Sequence, residues 1–359
     1  MMRTHSRVML VGPYWGGGWT ESVESSLKGC GLEVEVFYYN RPYFHKVIKQ
    51  VSSDLGIKYN ELHFWIRQLH WIVMGLQIGR LLYDAVIRFQ PDLIIVLKGE
   101  LILPTTIRKL KHLKNRPTIV AWWVDNPVLY GERHRWWVFP YCVPLFDKFY
   151  IFDYSYIEVL KKMGAKDVIF LPCAADPAHY HPVDITEEHL RNFASSVCFV
   201  ASFYKSRGDL LAPFIDIPGI GIWGGGWKQY LQDIGREDMF HIVRAQSLSM
   251  EDVNIAYQAA KVVLNSHHTQ TKRAGLNTRT FEVLASGGME LTDYVEEMES
   301  LLTPGEDVVV YRSPEEGAQL AMHLISDEST RKRIAHSGHE RVMSEHTYDH
   351  RVRTILNTL

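Results

Sequence analysis

Short, continuous apolar runs recur along the first half of the chain, with helical stretches between them. Because these runs do not alternate with polar residues, they predict strands that are buried on both faces. Strands of this kind separated by helices predict a parallel, doubly wound α/β sheet. The runs lie at Val8–Val11, Leu32–Tyr38, Leu93–Leu97, Thr118–Val124, Lys148–Phe152 and Val168–Leu171.

The same pattern starts again after the polar stretch Asp176–Asn192, which is interpreted as an interdomain linker. From Glu315 onwards the chain is predicted to be helical. Two Rossmann-like halves in one chain of 359 residues are the layout of the GT-B fold, but also of several dehydrogenases and periplasmic binding proteins. The apolar runs of the second half lie at Ser196–Ala201, Gly219–Trp223, His241–Arg244, Val262–Asn265, Gly288–Thr292 and Asp307–Tyr311.

The composition and charge of the chain limit the classes of partner and of metal or disulfide site that are expected. Apolar residues make up 46% of the chain and charged residues 22%, a balance typical of globular proteins. The net charge is −2 and no basic stretch is long, so nucleic acid is not expected as a partner. The cysteines are far apart and none forms a C-x-x-C pair, which favours reduced thiols in a cytoplasmic protein over a zinc site or a disulfide framework. They are Cys30, Cys142, Cys173 and Cys198.

Two segments bear on targeting and on membranes. The run Val8–Val11 is too short for the core of a signal peptide. The most apolar longer stretch, Leu62–Phe89, is interrupted by charged side chains, so we expect no transmembrane segment. A helix that rests on a membrane surface is the alternative to a core-packed helix, which leaves weak peripheral membrane association open.

Two strand-to-helix turns carry residues that suit an anion. Gly16–Gly18 follow the first strand, where glycines let a backbone approach a ligand and a helix N-terminus attracts negative charge. The spacing is not that of a dinucleotide or P-loop motif, and a plain turn is the alternative. Lys205 and Arg207 stand where a helix begins, an end that does not favour cations. They therefore indicate a diphosphate, with solvated surface charges as the alternative.

The segment Gly275–Tyr294 is the most informative part of the chain. A helix is predicted over Thr278–Ser286, ending at two glycines. The loop amides of Gly275, Leu276 and Asn277 are expected to point towards a phosphate at the start of this helix. Glu282, one turn into the helix, has a carboxylate that can accept both hydroxyls of a ribose, although a lone Glu is more often a surface residue.

From Ser196 onwards the chain resembles the CgeB-like, or spore-maturation-type, glycosyltransferases, relatives of the retaining GT-B enzymes. The first half matches more loosely, mainly in VGPYWGGGW and WWVDNP. The pieces that match in the second half are FVASFYKSRGDLL, IGIWGGGW, DVNIAYQAAKVVLN, GLNTRTFEVLASGG, LTDY and EHTYDHRVRTIL.

The resemblance implies roles for individual residues. Glu282 matches the second Glu of the E-x-x-x-x-x-x-x-E motif and would bind the ribose, whereas Ala274 stands where the first Glu is expected and puts that sugar contact in doubt. Arg279 would hold the diphosphate or brace the loop, and the strand around Arg244 would lie near the nucleobase. The complete set of implied donor-binding residues is Gly17, Ser202, Lys205, Arg207, Arg244, Gly275, Leu276, Asn277, Arg279 and Glu282.

The acceptor side is indicated by Asp125, in the sequence WWVDNP at the carboxyl end of a predicted strand. Such strand ends face the ligand crevice of an open α/β sheet, so Asp125 is the candidate base, with a turn-capping role as the alternative. Adjacent residues of a strand point to opposite faces. We therefore expect at least one of Trp122 and Trp123 to face a cleft, a partner or solvent.

A metal site is not expected. His267 and His268 are adjacent, but no carboxylate cluster completes a site, and no D-x-D follows a strand. Either histidine could instead touch the donor.

We therefore predict an α/β protein of the GT-B fold, with two Rossmann-like domains that face each other across a cleft. Residues 1–180 form the acceptor domain, residues 190–340 the nucleotide-sugar-binding domain, and residues 341–359 a C-terminal helix that returns to the first domain. The predicted enzyme moves a sugar from a nucleoside-diphosphate sugar, with a UDP-sugar favoured, to an unknown protein, glycan or small-molecule acceptor. We expect no metal and no other cofactor, and the resemblance implies retention. The alternatives are a sugar-nucleotide epimerase on the same fold and a non-catalytic nucleotide-sugar-binding or spore-coat assembly protein.

Overall fold

A computed structural model of the chain describes residues 5–14, 18–40, 64–128, 138–267 and 275–359, without the side chains of residues 64–68. The chain divides into two compact units. Unit 1 comprises Met1–Pro172 and Arg351–Leu359, and unit 2 comprises Cys173–His350. Each unit contains one six-stranded sheet in which every described strand pair is parallel.

The sheet of unit 1 has the strand order β2-β1-β3-β4-β5-β6. The strand order reverses between β1 and β3, and ligands of open α/β sheets bind at such a switch point, outside the carboxyl ends of the strands. The strands are β1 Arg7–Gly12, β2 Glu33–Tyr38, β3 Leu93–Leu97, β4 Thr118–Trp123, β5 Lys148–Ile151 and β6 Val168–Phe170. The described helices are α1 Trp19–Gly29, α2 Phe64–Phe89, α3 Pro104–Lys111, α4 Phe139–Cys142 and α5 Ile157–Lys162.

The sheet of unit 2 has the order β12-β11-β10-β7-β8-β9, which places its switch point between β7 and β10. Its strands are β7 Ser195–Val200, β8 Gly221–Trp223, β9 Val243–Ala245, β10 Ala260–Leu264, β11 Glu290–Asp293 and β12 Val309–Tyr311. The helices that begin in it are α6 Glu187–Phe193, α7 Lys205–Leu211, α8 Trp227–Asp233, α9 Met250–Ala259, α10 Thr278–Ala285, α11 Met298–Leu301, α12 Pro314–Ser326, α13 Glu328–Glu345 and α14 Tyr348–Thr358.

The chain's last residues pack within unit 1. The Tyr150 hydroxyl of β5 hydrogen-bonds to Oγ1 of Thr358, at 2.8 Å. Nε of Arg351 donates to the carbonyl oxygen of Pro172, at 3.0 Å, from a buried position. These contacts hold the C-terminal part of α14 against the end of β6.

The expectation for the tryptophan pair is wrong. Trp122 and Trp123 point to opposite faces of β4, but both are buried, at 0% and 2% exposure. The ring of Trp122 meets that of Trp19 edge-on at 5.3 Å, and the ring of Trp123 lies 4.6 Å from that of Phe139. Both faces of a doubly wound sheet are covered by helices, so both tryptophans are core residues.

The stretch Asp176–Asn192 is not a free linker, because it lies within unit 2. Tyr180 is 8% exposed, and its ring stacks on that of Tyr257, 6.5 Å away. The amide of His181 donates to Oδ1 of Asn254 in α9, at 3.3 Å. Polar side chains of α9 thus satisfy the backbone of a segment whose composition suggested a linker.

Several strands begin later than predicted. His241 belongs to a 3-10 turn over Glu237–Ile242, so β9 starts at Val243, and β8, β11 and β12 start at Gly221, Glu290 and Val309. In the part of the chain that the structure describes, no helix has the length and apolar character needed to cross a bilayer.

Candidate functional site

The switch point of unit 2 brings two predicted segments together. The turn after β7 contains Ser202, and α7 begins at Lys205. The neighbouring strand β10 leads through Asn265 towards α10, whose N-cap is Asn277. Because β7 and β10 are parallel neighbours, their carboxyl ends and the loops that follow lie at one edge of the sheet.

Arg207 turns back from α7 towards this edge. Its NH1 donates to the carbonyl oxygen of Ser202 at 2.8 Å, and its guanidinium lies 4.8 Å from the ring centre of Tyr204. Burial and, to a lesser extent, the charge of Arg279 lower the pKa of Arg207 to about 10. Lys205 is exposed at the first position of α7.

Arg279 approaches from the first turn of α10. Its NH1 donates to Oδ1 of Asn265 at 3.0 Å. The predicted loop residue Asn277 uses its side chain inside the protein: Oδ1 accepts from the amide of Thr280 at 3.1 Å, and Nδ2 donates to the carbonyl oxygen of Ser266 at 3.1 Å. Leu276 is buried. The Asn277 side chain is therefore used within the protein, and Arg279 lies at the N-terminus of α10, close enough for its charge to lower the pKa of Arg207 after the larger effect of burial.

Two guanidinium groups at one site repel each other, which is unfavourable unless an anion lies between them. In the described ranges, neither Arg207 nor Arg279 forms an ion pair with a carboxylate within 4.0 Å. The arrangement suits a doubly or triply charged oxyanion such as a diphosphate.

Glu282 is only partly buried as a residue, yet its carboxylate is engaged. Burial raises its pKa, against the opposing effects of the Arg279 charge and of a hydrogen bond from the Tyr180 hydroxyl. The sequence did not point to Tyr180, which follows Pro177 in the stretch expected to be a linker. A ribose contact by Glu282 stays a prediction.

A buried carboxyl group lies on the other side of Asn265 from Arg279. Glu290 is 0% exposed in β11, and its Oε1 accepts from Nδ2 of Asn265 at 2.6 Å. Nδ2 of Asn265 also lies 3.1 Å from Oγ1 of Thr280. Burial raises the pKa of Glu290 to about 7 from the usual 4.5, although Asn265 opposes the shift. Asn265 thus links the buried carboxyl group to Arg279.

Glu290→Gln is expected to remove a pH dependence of stability. The folded-state pKa is higher than the unfolded one, so the folded protein retains a proton that the unfolded chain loses between about pH 4.5 and about pH 7. Wild-type stability should fall across that window by up to about 3 kcal/mol, from a shift of roughly 2.5 units. Glutamine cannot ionise but keeps the acceptor for Asn265, so the variant should be the more stable protein at pH 8.

Urea unfolding at pH 5 and pH 8 measures this difference. Glu340→Gln, at an exposed position of α13, is the control and should follow the wild type at both pH values. A Glu290→Gln variant that loses as much stability as the wild type between the two pH values would contradict the assignment.

A cavity of about 490 Å³ opens next to Arg207. Asp293, the last residue of β11, lines it, and Oδ1 of Asp293 accepts from both the amide and Nδ1 of His267, each at 2.8 Å. His267 was a candidate donor contact in the sequence, whereas Asp293 was not singled out. Its position at the end of a strand next to β10 was the available signal. His268 lies outside the described residues.

Arg244 is not in this group. Its NH1 donates to the carbonyl oxygen of Ala194 at 2.8 Å, and its guanidinium lies 5.1 Å from the ring centre of Trp223. It lines a separate cavity of about 340 Å³ together with Gly224 and Gln246. The predicted contact with a nucleobase stays a prediction.

In unit 1, Asp125 follows β4 and takes part in an ion-pair cluster. Lys98 Nζ lies 2.7 Å from Oδ2 of Asp125 and 3.0 Å from Oε1 of Glu100. Burial alone would lower the pKa of Lys98, but the two carboxylates outweigh it and the pKa is raised. The sequence analysis did not single out Lys98 or Glu100, although both directly follow the buried strand β3.

The structure says less about the remaining predicted site residues and about a metal site. Gly17 lies outside the described residues, and Gly18 is the N-cap of α1. Gly275 is buried just before Leu276. Across the described ranges there is no cluster of three or more His, Cys, Asp or Glu side chains arranged to hold a metal ion.

Comparison with known proteins shows which glycosyltransferases the chain resembles. Residues 207–357, which include Arg207, Arg279, Glu282 and Asp293, match the family described as glycosyl transferase-like. The chain is 19% identical to spore protein CgeB of Bacillus subtilis (strain 168) over 273 residues, which covers 73% of this chain and 80% of that protein. The chain is similar to the CgeB-like glycosyltransferases. The resemblance inferred from the second half of the sequence is thus confirmed.

Solved structures give the fold. The sucrose-phosphate synthase of Thermosynechococcus elongatus superimposes with a TM-score of 0.70 at 12% identity, over 98% of each chain. Anabaena Alr3699/HepE, solved in complex with UDP-glucose, superimposes with a TM-score of 0.66 at 12% identity, over 99% of this chain and 100% of that one. The predicted GT-B fold is confirmed.

Proposed function

We propose that this glycosyltransferase uses a nucleoside-diphosphate sugar bound by unit 2, with a UDP-sugar favoured. The observation that carries the proposal is the pair of arginines at the switch point. Burial and the charge of Arg279 lower the pKa of Arg207, and the described part of the chain supplies neither arginine with a carboxylate partner within 4.0 Å. A bound diphosphate removes this repulsion. The UDP-glucose complex of a protein with the same fold supports uracil as the base.

Catalysis is proposed to need no metal ion. In metal-dependent transfer a divalent cation neutralises the leaving diphosphate, and here Arg207, Arg279 and the N-terminus of α10 supply positive charge. Retention of stereochemistry is proposed on the resemblance to the retaining GT-B enzymes. The acceptor is a protein, a glycan or a small molecule, and each of these three classes is to be tested.

Calorimetric titration in EDTA tests donor binding. UDP, GDP, ADP and dTDP are compared with uridine, which has the base and ribose of UDP but no phosphate. UDP is expected to bind most tightly and uridine far more weakly, because the arginines contribute mainly through phosphate contacts. Failure of every nucleoside diphosphate to bind would overturn the proposal.

Transfer itself is tested with UDP-sugars that carry a radiolabel in the sugar, supplied with mixed glycan, peptide and small-molecule acceptors in EDTA. Label should appear in an acceptor together with free UDP. Recovery of the label only as an isomerised UDP-sugar would instead show the epimerase. A loss of transfer in EDTA that Mg²⁺ restores would contradict metal independence.

Asp125→Asn is expected to lower the rate of sugar transfer by about 100-fold, the usual contribution of a general base. Asparagine keeps the size of the side chain but cannot accept the proton of an acceptor hydroxyl. Binding of UDP should be unchanged, since Asp125 belongs to unit 1 and the proposed phosphate site to unit 2. Asp147→Asn, at another carboxylate of unit 1 that pairs with a lysine, is the control. An unchanged rate in Asp125→Asn would contradict the role of Asp125.

A further inference from the structure

Asp293 presents a fixed carboxylate to the cavity beside Arg207. Its Oδ1 is held by two donors of one residue, the amide and Nδ1 of His267, each at 2.8 Å. The Oγ1 of Thr292 adds a longer contact to the same oxygen at 3.4 Å. Three donors on one oxygen fix the orientation of the carboxylate group before any ligand binds.

The other carboxylate oxygen of Asp293, Oδ2, is not engaged in the same way. The side chain is 25% exposed and lines the 490 Å³ cavity. Within the described ranges, Oδ2 accepts no hydrogen bond and lies in no ion pair. The nearby cation Arg312 is placed 4.0 Å from the ring centre of Tyr294 and forms no ion pair with Asp293. Oδ2 is therefore an acceptor available to a ligand in this cavity.

His267 also lines the cavity, but its side chain is 0% exposed, so the imidazole ring faces Asp293 and not the open space of the cavity. Its main chain and its imidazole ring both bind Oδ1 of Asp293. His267 is thus a positioning residue, which acts through the carboxylate that it holds.

The chemistry of the cavity indicates its occupant. A carboxylate repels a phosphate but accepts hydrogen bonds from neutral hydroxyl groups, and such charge-assisted bonds are strong. Arg207 lines the same cavity and marks the side on which the diphosphate is proposed to lie. The group that follows the diphosphate in a nucleotide sugar is the sugar, whose hydroxyls are the donors that Oδ2 requires.

We propose that Asp293 binds hydroxyl groups of the transferred sugar and selects the donor by them, with His267 holding the carboxylate in place. This inference rests on the proposed function, since it assigns the sugar subsite of the same donor site.

The test separates the sugar from the nucleotide. A panel of UDP-glucose, UDP-galactose, UDP-N-acetylglucosamine and UDP-xylose is titrated against the wild type, and the tightest-binding member is then compared with UDP in Asp293→Ala. Affinity for that UDP-sugar should fall about tenfold to 100-fold, as expected for lost hydrogen bonds to a charged group. Affinity of the variant for UDP should stay within about twofold of the wild type. If only this proposal is wrong, the wild type still binds UDP. If the proposed function is wrong, the wild type does not bind UDP.

Deoxy analogues of the same UDP-sugar make the test specific. Removing the hydroxyl that Asp293 binds should weaken binding to the wild type but cause no further loss in Asp293→Ala. His267→Gln should shift UDP-sugar affinity in the same direction as Asp293→Ala and leave UDP affinity unchanged. Asp209→Ala removes an exposed carboxylate that lines the same cavity and is the matched control. Equal weakening of UDP and UDP-sugar in Asp293→Ala, or no weakening of either, would overturn the proposal.

Discussion

Replacing both Arg207 and Arg279 with methionine is expected to weaken UDP binding by about 1000-fold or more. Each guanidinium should donate charge-assisted hydrogen bonds to the diphosphate, worth about 2 kcal/mol per arginine. Methionine keeps much of the apolar stem, so the loss reports the charge and the hydrogen bonds. Each single variant should lose about 30-fold. Calorimetric titration at low salt measures both effects, with Arg333→Met on the exposed face of α13 as the control.

Without UDP, Arg207→Met is expected to be more stable than the wild type, although it should bind UDP more weakly. Burial and the charge of Arg279 lower the pKa of Arg207 to about 10, which means that the folded protein disfavours the charged guanidinium. Arg207→Met should therefore raise the thermal midpoint without UDP, despite losing the hydrogen bond to Ser202. A variant that binds UDP as tightly as the wild type would contradict the placement of the diphosphate. A lower midpoint would show that Arg207 mainly supports the fold.

Gly224→Ala is expected to destabilise unit 2 by about 4 kcal/mol, the sum of backbone strain and overpacking. Gly224 follows β8 with φ +152°, a conformation that L side chains rarely adopt. An added Cβ would collide with the carbonyl group of Ala201 and would lie 2.9 Å from the amide nitrogen of Ser202. These are backbone atoms at the end of β7, so no change of rotamer relieves the clash.

The neighbouring Gly225 supplies a matched control. A Cβ added there would meet no heavy atom within 4 Å, and its φ lies outside the left-handed region. Gly225→Ala should therefore unfold in urea close to the wild type, whereas Gly224→Ala should unfold at much lower urea concentration or fail to accumulate. Equal midpoints for the two variants would show that the turn after β8 can move away from β7.

Much of the fold follows from the apolar runs alone. LIIVL at Leu93–Leu97 is a run typical of a strand covered on both faces, and it forms β3 with every residue buried. The restart of the pattern at Ser196 predicts the second sheet for the same reason. The sequence could not show which strands are neighbours, because that depends on pairing between distant segments. The switch point between β7 and β10 therefore appears only in the structure.

The site was predicted in part. Arg207 could be found because a cation at a helix start conflicts with the helix dipole and so requires another explanation. Arg279 was implied by the resemblance to the CgeB-like glycosyltransferases. Tyr180, which binds Glu282, could not be found, because it lies about 100 residues away in a stretch whose polar composition indicated a linker. Asp293 was overlooked because its role depends on His267, which the fold brings to it from the next strand.

A crystal structure of the protein with UDP tests the central claim most directly, because it locates the diphosphate relative to named atoms. The β-phosphate oxygens should lie within hydrogen-bonding distance, about 3 Å, of the guanidinium nitrogens of both Arg207 and Arg279. UDP bound elsewhere, or with its phosphates in contact with neither arginine, would contradict the account of the donor site.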